Sequence, residues 1–138
     1  HQDAIAGATN YMYVKVKNRG TSAAANVTVR GYHTLPGAGL TWPLDFTEMG
    51  PAGGLNVASI GAANAEEVTV GPFEWVPNIN AYGHDCVLMI ASAPGDPSNI
   101  DHFTAGETIS AMSSRSACAG SSSSMNSRAT SDGVDCRL

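Results

Sequence analysis

The feature that most limits the possible folds is a strict alternation of apolar and polar side chains in residues 10–18. The apolar positions are Met12, Val14 and Val16, and the opposite face carries Tyr13, Lys15 and Lys17. A period of two is typical of a half-buried strand. No stretch of the sequence has a convincing apolar period of 3.6 residues over the length of a helix. The chain is therefore predicted to be all-β.

Four further segments have the composition of strands. They are residues 25–33, in which Val27, Val29 and His33 share a face, 56–60, 68–75 and 84–92. The short linker between 10–18 and 25–33 indicates either a hairpin or the corner of a sandwich. Pro72 lacks an amide hydrogen, so it predicts an edge position or a bulge within 68–75. Residues 35–54, rich in glycine and proline, predict one long ordered loop, and residues 94–97 predict a turn.

Short strands separated by glycine and proline turns favour a single antiparallel β-sandwich of immunoglobulin type. The length of 138 residues suits one domain. We expect the sandwich to occupy residues 1–109 and a Ser-rich tail to occupy residues 110–138. Cys118 and Cys136 in this tail are candidates for a disulfide, whereas Cys86, in an apolar run, predicts a buried structural thiol.

Composition excludes several functions and restricts others. Seven Lys and Arg residues against twelve Asp and Glu residues leave a net charge of −5, so a basic nucleic-acid footprint is absent. No apolar run approaches the roughly 18–20 residues of a membrane span. Because aromatic residues make up only 7% of the chain, a sugar-stacking surface would use few rings. The candidates are Trp42, Trp75 and Tyr82, each of which is also explained by packing in the core or a loop.

Two blocks of sequence carry a family resemblance. Residues 11–20 (Tyr-Met-Tyr-Val-Lys-Val-Lys-Asn-Arg-Gly), followed by 27–30 (Val-Thr-Val-Arg), resemble the CARDB-like, immunoglobulin-like modules of secreted bacterial proteins. Residues 39–43, 70–75 and 83–86 are similar to later parts of such modules, and the resemblance covers about residues 9–100. It implies a sandwich that serves as an accessory or adhesive module without chemistry of its own. We expect a secreted or extracellular location.

The first residue, His1, is a candidate copper ligand. An N-terminal histidine offers its α-amine and a ring nitrogen, and a second histidine completes the tetragonal nitrogen set that Cu(II) prefers. This set resembles the histidine brace of lytic polysaccharide monooxygenases. The preferred partner is His84; His102 is the alternative, with Phe103 beside it as a candidate for the axial position. His33 lies on an apolar-patterned face and predicts a core residue.

These residues support one leading hypothesis and several alternatives. The leading hypothesis is a copper-dependent enzyme that oxidises a cellulose- or chitin-like polysaccharide, with His1 and His84 as catalytic residues. The alternatives are a non-catalytic adhesion or carbohydrate-binding module, and a copper carrier. Carboxylate pairs for glycoside hydrolysis, and an oxygen-rich turn for calcium, are also explained by turn chemistry. They are Asp45 with Glu48, Asp96 with Asp101, and the set Asp96, Asn99 and Asp101.

Overall fold

The computed structural model describes residues 4–34, 40–78, 86–98 and 100. Within these residues the chain forms six strands and no α-helix. The strands are β1 (Asn10–Val16), β2 (Ala24–Thr34), β3 (Phe46–Glu48), β4 (Leu55–Ile60), β5 (Val68–Trp75) and β6 (Val87–Ser92). No helix in this part of the chain is long and apolar enough to cross a membrane.

The strands form two antiparallel sheets. In the first sheet β1 pairs with β5, in a register that joins Tyr11 to Glu74 and Lys15 to Thr69. In the second sheet β2 is central, with β4 and β3 pairing successive parts of it and β6 pairing residues from Thr28 to His33. The predicted all-β, antiparallel fold class is confirmed.

One apolar core receives side chains from both sheets. Its members include Val14 and Phe73 from the first sheet and Val27, Val29 and Met89 from the second. Phe73, Val27 and Val29 are fully buried. The alternation in β1 directs Val14 and Val16 into this core, as the sequence predicted. Each sheet therefore buries one face in this shared core, and its opposite face is the outer face.

The connection between β1 and β2 differs from a hairpin. Each strand pairs with other strands, and the two lie in different sheets, so the hairpin alternative was wrong and the chain turns a corner between the sheets. Asn18, which is 3% exposed, organises this corner. Its Nδ2 donates to the carbonyl oxygens of Ser22 at 2.8 Å and of Ile60 at 3.2 Å, while its Oδ1 accepts from the amide of Gly20 at 2.8 Å.

The predicted loop at residues 35–54 contains a short strand, β3, so that interpretation was wrong in part. After β3 the chain links the two sheets. The amide of Met49 donates to the carbonyl of Gly31 in the second sheet, and Gly50 exchanges two backbone hydrogen bonds of 2.8 Å with Glu74 in the first. These backbone bonds hold the edge of β5 to the second sheet.

A bulge interrupts β5 where proline predicted one. Met12 pairs with Phe73 and Val14 pairs with Val70, so two residues, Gly71 and Pro72, stand opposite Tyr13 alone. This two-to-one arrangement is a β-bulge, which bends the strand and redirects side chains. Because Pro72 has no amide hydrogen, the bulge accommodates it without losing a ladder hydrogen bond.

The outer face of the second sheet carries a second apolar cluster. Tyr32, Leu88, Ile90 and Ile100 are buried there, and Trp42 and Phe46 pack against them. The segment leading into β3 therefore covers part of this outer face. The predicted boundary at residues 109 and 110 and the Ser-rich tail lie outside the described residues.

Candidate functional site

The outer face of the β1–β5 sheet presents two tyrosine rings along one strand. Tyr11 is 59% exposed and Tyr13 is 61% exposed. Because alternate residues of a strand share a face and each residue advances about 3.4 Å, the two side chains start roughly 7 Å apart. We define the tyrosine face as Tyr11, Tyr13 and Lys15 of β1 with Thr69, Pro72 and Glu74 of β5, all of which are exposed.

The bulge in β5 makes room for the ring of Tyr13. A Cβ atom at position 71 would lie 2.7 Å from Cδ1 of Tyr13 and 2.7 Å from the carbonyl oxygen of Met12. Gly71 also has a φ of 154°, which residues with a side chain rarely adopt. Glycine at this position therefore lets the Tyr13 ring lie directly against the backbone of β5.

Charged groups lie at one end of the tyrosine face. The ammonium nitrogen of Lys15 is 2.7 Å from Oε1 of Glu67, and that of Lys17 is 3.3 Å from Oε2 of the same carboxylate. The hydrogen bond to Glu67 raises the pKa of Lys15, and the hydrogen bonds from Lys15 and Lys17 lower the pKa of Glu67.

The lowered pKa of Glu67 determines how this cluster depends on pH. Its contribution to stability is present above the ordinary glutamate pKa and is lost as the pH falls through the lower pKa of the folded state. Because these side chains are exposed, solvent screens the pairs, which add little to stability. The two lysines are accordingly accessible for exchange with an external anion.

The two tryptophans predicted to stack on sugars take part in packing. Trp42 is half-buried, with its ring centroid 5.0 Å from that of Tyr32 in an edge-on arrangement and 5.4 Å from that of Phe46. Trp75 is half-buried against the main core. Tyr82, the third candidate, lies outside the described residues. Sugar stacking by these rings stays a prediction, whereas Tyr11 and Tyr13 offer far more of their surface to a ligand.

Most of the residues predicted to bind copper lie outside the described part of the chain. These are His1, His84, His102 and the axial candidate Phe103, and the disulfide candidates Cys118 and Cys136 lie there too. His33 is half-buried in β2, with a buried Nδ1 atom. Among the described residues no three His, Cys, Asp or Glu side chains are grouped to hold a metal ion.

The copper hypothesis has a direct test. If His1 carries a free α-amine and the brace forms, Cu(II) added to the metal-free protein gives a one-to-one tetragonal signal in electron paramagnetic resonance. One extra residue before His1 should abolish that signal, because the α-amine then becomes an amide. Loss of the signal in His84→Ala or in His102→Ala would identify the second ligand. Copper binding that is insensitive to the extension would contradict the brace.

The remaining polar candidates serve the backbone of nearby turns. Oδ2 of Asp45 accepts a hydrogen bond of 2.7 Å from the amide of Thr41, and Oε1 of Glu48 accepts one of 3.0 Å from the amide of Gly53. In both contacts a carboxylate accepts a hydrogen bond from a backbone amide a few residues away, which is a common way to stabilise a turn. Cys86 is a free thiol within the described residues and is half-buried rather than fully buried.

No protein-family model, curated protein sequence or solved structure matches this chain. Sequence reasoning did not select Tyr11 and Tyr13 as binding residues. The signal that could have found them is the alternation itself, since it places these rings on the same side as Lys15 and opposite the core.

Proposed function

We propose that this chain is a non-catalytic carbohydrate-binding module with an immunoglobulin-like β-sandwich fold, which binds sugar rings on its tyrosine face. The observation that carries the proposal is the pair of exposed rings, Tyr11 and Tyr13, on one strand. Two observations support the immunoglobulin-like fold. Two antiparallel sheets share one core, and the chain passes from the first sheet to the second between β1 and β2.

The chemistry of the tyrosine face suits a sugar. The C–H face of a pyranose is apolar and packs on an aromatic ring, while its hydroxyl groups require hydrogen-bond partners. Tyrosine offers an apolar ring with a polar hydroxyl. On the neighbouring strand, Glu74 adds a carboxylate opposite Tyr11, and Thr69 adds a hydroxyl opposite Lys15, farther along the same face. Flat apolar surface and flanking polar groups thus occur on the same face.

The shape of the tyrosine face favours a linear ligand. In the described residues this sheet has two full strands, whose spacing is about 5 Å. A stable protein interface usually buries about 800 Å² on each partner, which is much more than two neighbouring rings supply. A polysaccharide chain that runs along β1 would contact both rings in succession.

The double variant Tyr11→Ala, Tyr13→Ala tests this function. Because truncation of an aromatic anchor removes about 2 kcal/mol of binding free energy or more, we expect affinity to fall by at least about 30-fold. Affinity electrophoresis through gels containing soluble polysaccharides, followed by calorimetry on the best ligand, measures the change. Tyr11→Phe, Tyr13→Phe keeps the rings and should retain most of the affinity.

Leu44→Ala provides a matched surface control. Leu44 is 81% exposed and lies in the segment that covers the outer face of the second sheet, away from the tyrosine face. We expect this variant to bind as the parent protein does. Equal retention of the parent and the Tyr→Ala variant in every gel would contradict the proposed function, provided that thermal unfolding shows both to be folded.

A further inference from the structure

Positive charge is concentrated beside the tyrosine rings. Although the chain carries a net charge of −5, two of the four Lys and Arg residues in its described part, Lys15 and Lys17, follow the tyrosines on the same side of the chain. The alternation of β1 continues the row of Tyr11 and Tyr13 into Lys15 and Lys17. The four side chains of this row start at intervals of roughly 7 Å.

The charge on the two lysines is only partly neutralised. One carboxylate, that of Glu67, serves both ammonium groups, so two positive charges face one negative charge. The neighbouring carboxylate of Glu66 keeps its negative charge and accepts a hydrogen bond from the amide of Gly61. Glu74 pairs with Tyr11, at the opposite end of the row. Within the ion pairs themselves, two ammonium groups therefore share a single carboxylate.

Both lysines remain open to solvent. Their side chains are 57% and 47% exposed. Exposed ion pairs of this kind are weak, so an external carboxylate can take the place of Glu67 at little expense in free energy. A carboxylate that is attached to a sugar on the tyrosine rings would arrive already positioned, which lowers the entropy lost in pairing.

We propose that the polysaccharide bound by the tyrosine face is acidic, with uronate carboxylates paired to Lys15 and Lys17 and sugar rings stacked on Tyr11 and Tyr13. This inference rests on the proposed function and specifies its ligand. Charge complementarity supports it: an acidic chain is repelled by a protein of net charge −5 except at a cationic strip. The lysine end of the row is such a strip.

Polygalacturonate and its fully methyl-esterified form are the probes that test this inference. They have the same sugar backbone, but only the first is charged. We expect the protein to bind the acidic form more tightly, and we expect added salt to weaken binding of this form alone. Lys15→Gln, Lys17→Gln should weaken binding of the acidic form about tenfold, at about threefold for each exposed pair, and so remove most of its advantage over the ester.

Glu67→Gln should have the opposite effect. Since it removes the carboxylate that competes for both lysines, affinity for polygalacturonate should rise about threefold. A merely structural role for the cluster would instead weaken binding or leave it unaffected. All three positions are exposed, so we expect the variants to fold like the parent protein.

The outcomes separate the two proposals. Tyrosine-dependent binding that is equal for the acid and the ester would overturn the acidic ligand and leave the carbohydrate-binding function intact. If neither polymer nor any neutral polysaccharide binds through the tyrosines, the proposed function itself fails. A third outcome also overturns the inference. If the protein binds polyglutamate as tightly as polygalacturonate, and if this binding survives Tyr11→Ala, Tyr13→Ala, the lysines attract any polyanion and do not recognise a sugar.

Discussion

Gly54→Ala should destabilise the protein by about 4 kcal/mol, whereas Gly53→Ala, one residue earlier, should destabilise it by about 1 kcal/mol. The two glycines have nearly the same φ, 82° and 81°. They differ in what a new Cβ would meet: at Gly54 it would overlap with the carbonyl oxygen of Val29, and at Gly53 it would have no neighbour within 4 Å. Chemical denaturation of both variants measures the difference.

The overlap at Gly54 is severe because the backbone of Val29 cannot move away from the new Cβ atom. Val29 is fully buried in the core and pairs with Leu55, the residue next to Gly54. The close approach of the two backbones sets the start of β4 after the chain has crossed between the sheets at Gly50. Since Gly53→Ala carries the same left-handed strain, it isolates the effect of the clash. Equal denaturation midpoints for the two variants would contradict this packing.

Sequence periodicity located strands better than it located their partners. Residues 68–75 were predicted as a strand and form β5, and of the two positions that Pro72 predicted, an edge or a bulge, it lies in a bulge. The alternation of β1 shows which face is buried, but that pattern is the same whichever strand lies alongside. Pairing with β5 rather than β2 is decided by the packing of distant segments. β3, with three residues, is too short for a period to be visible.

The sequence predicted part of the candidate site, namely which side chains share a face of β1. The polar side of 10–18 correctly grouped Tyr13 with Lys15 and Lys17, because side-chain direction in a strand follows directly from the alternation. The contacts of Trp42 with Tyr32 and Phe46 were not readable, since they depend on how a loop returns to the second sheet. The sharing of Glu67 by two lysines likewise requires the fold, because it joins β1 to the segment before β5.

Asn18→Ala should lower the free energy of unfolding by about 3 kcal/mol, because buried hydrogen-bonding groups would lose their partners. The Asn18 side chain accepts from the amide of Gly20 and donates to the carbonyls of Ser22 and Ile60. The backbone carbonyl of Asn18 accepts from the amide of Asn64 at 2.8 Å, and alanine would retain this bond. These contacts tie the corner between the sheets to the end of β4. Urea denaturation monitored by tryptophan fluorescence measures the loss.

Asn18→Asp adds a pH dependence that distinguishes hydrogen bonding from simple packing. The new carboxyl would be buried and would face two carbonyl oxygens, so its pKa in the folded state should be raised above its unfolded value. Its destabilising effect is then largest at neutral pH and decreases as the pH falls, because the protonated carboxyl can donate one of the lost hydrogen bonds.

Asn56→Asp is the control for the change in charge, since Asn56 is exposed in β4. A surface substitution of this kind should alter the free energy of unfolding by no more than about 0.5 kcal/mol at any pH. The informative quantity is the difference between the two variants as the pH falls. If both variants follow the same pH profile, the amide of Asn18 is not the donor that joins the corner to Ile60, and the predicted loss in Asn18→Ala must come from packing instead.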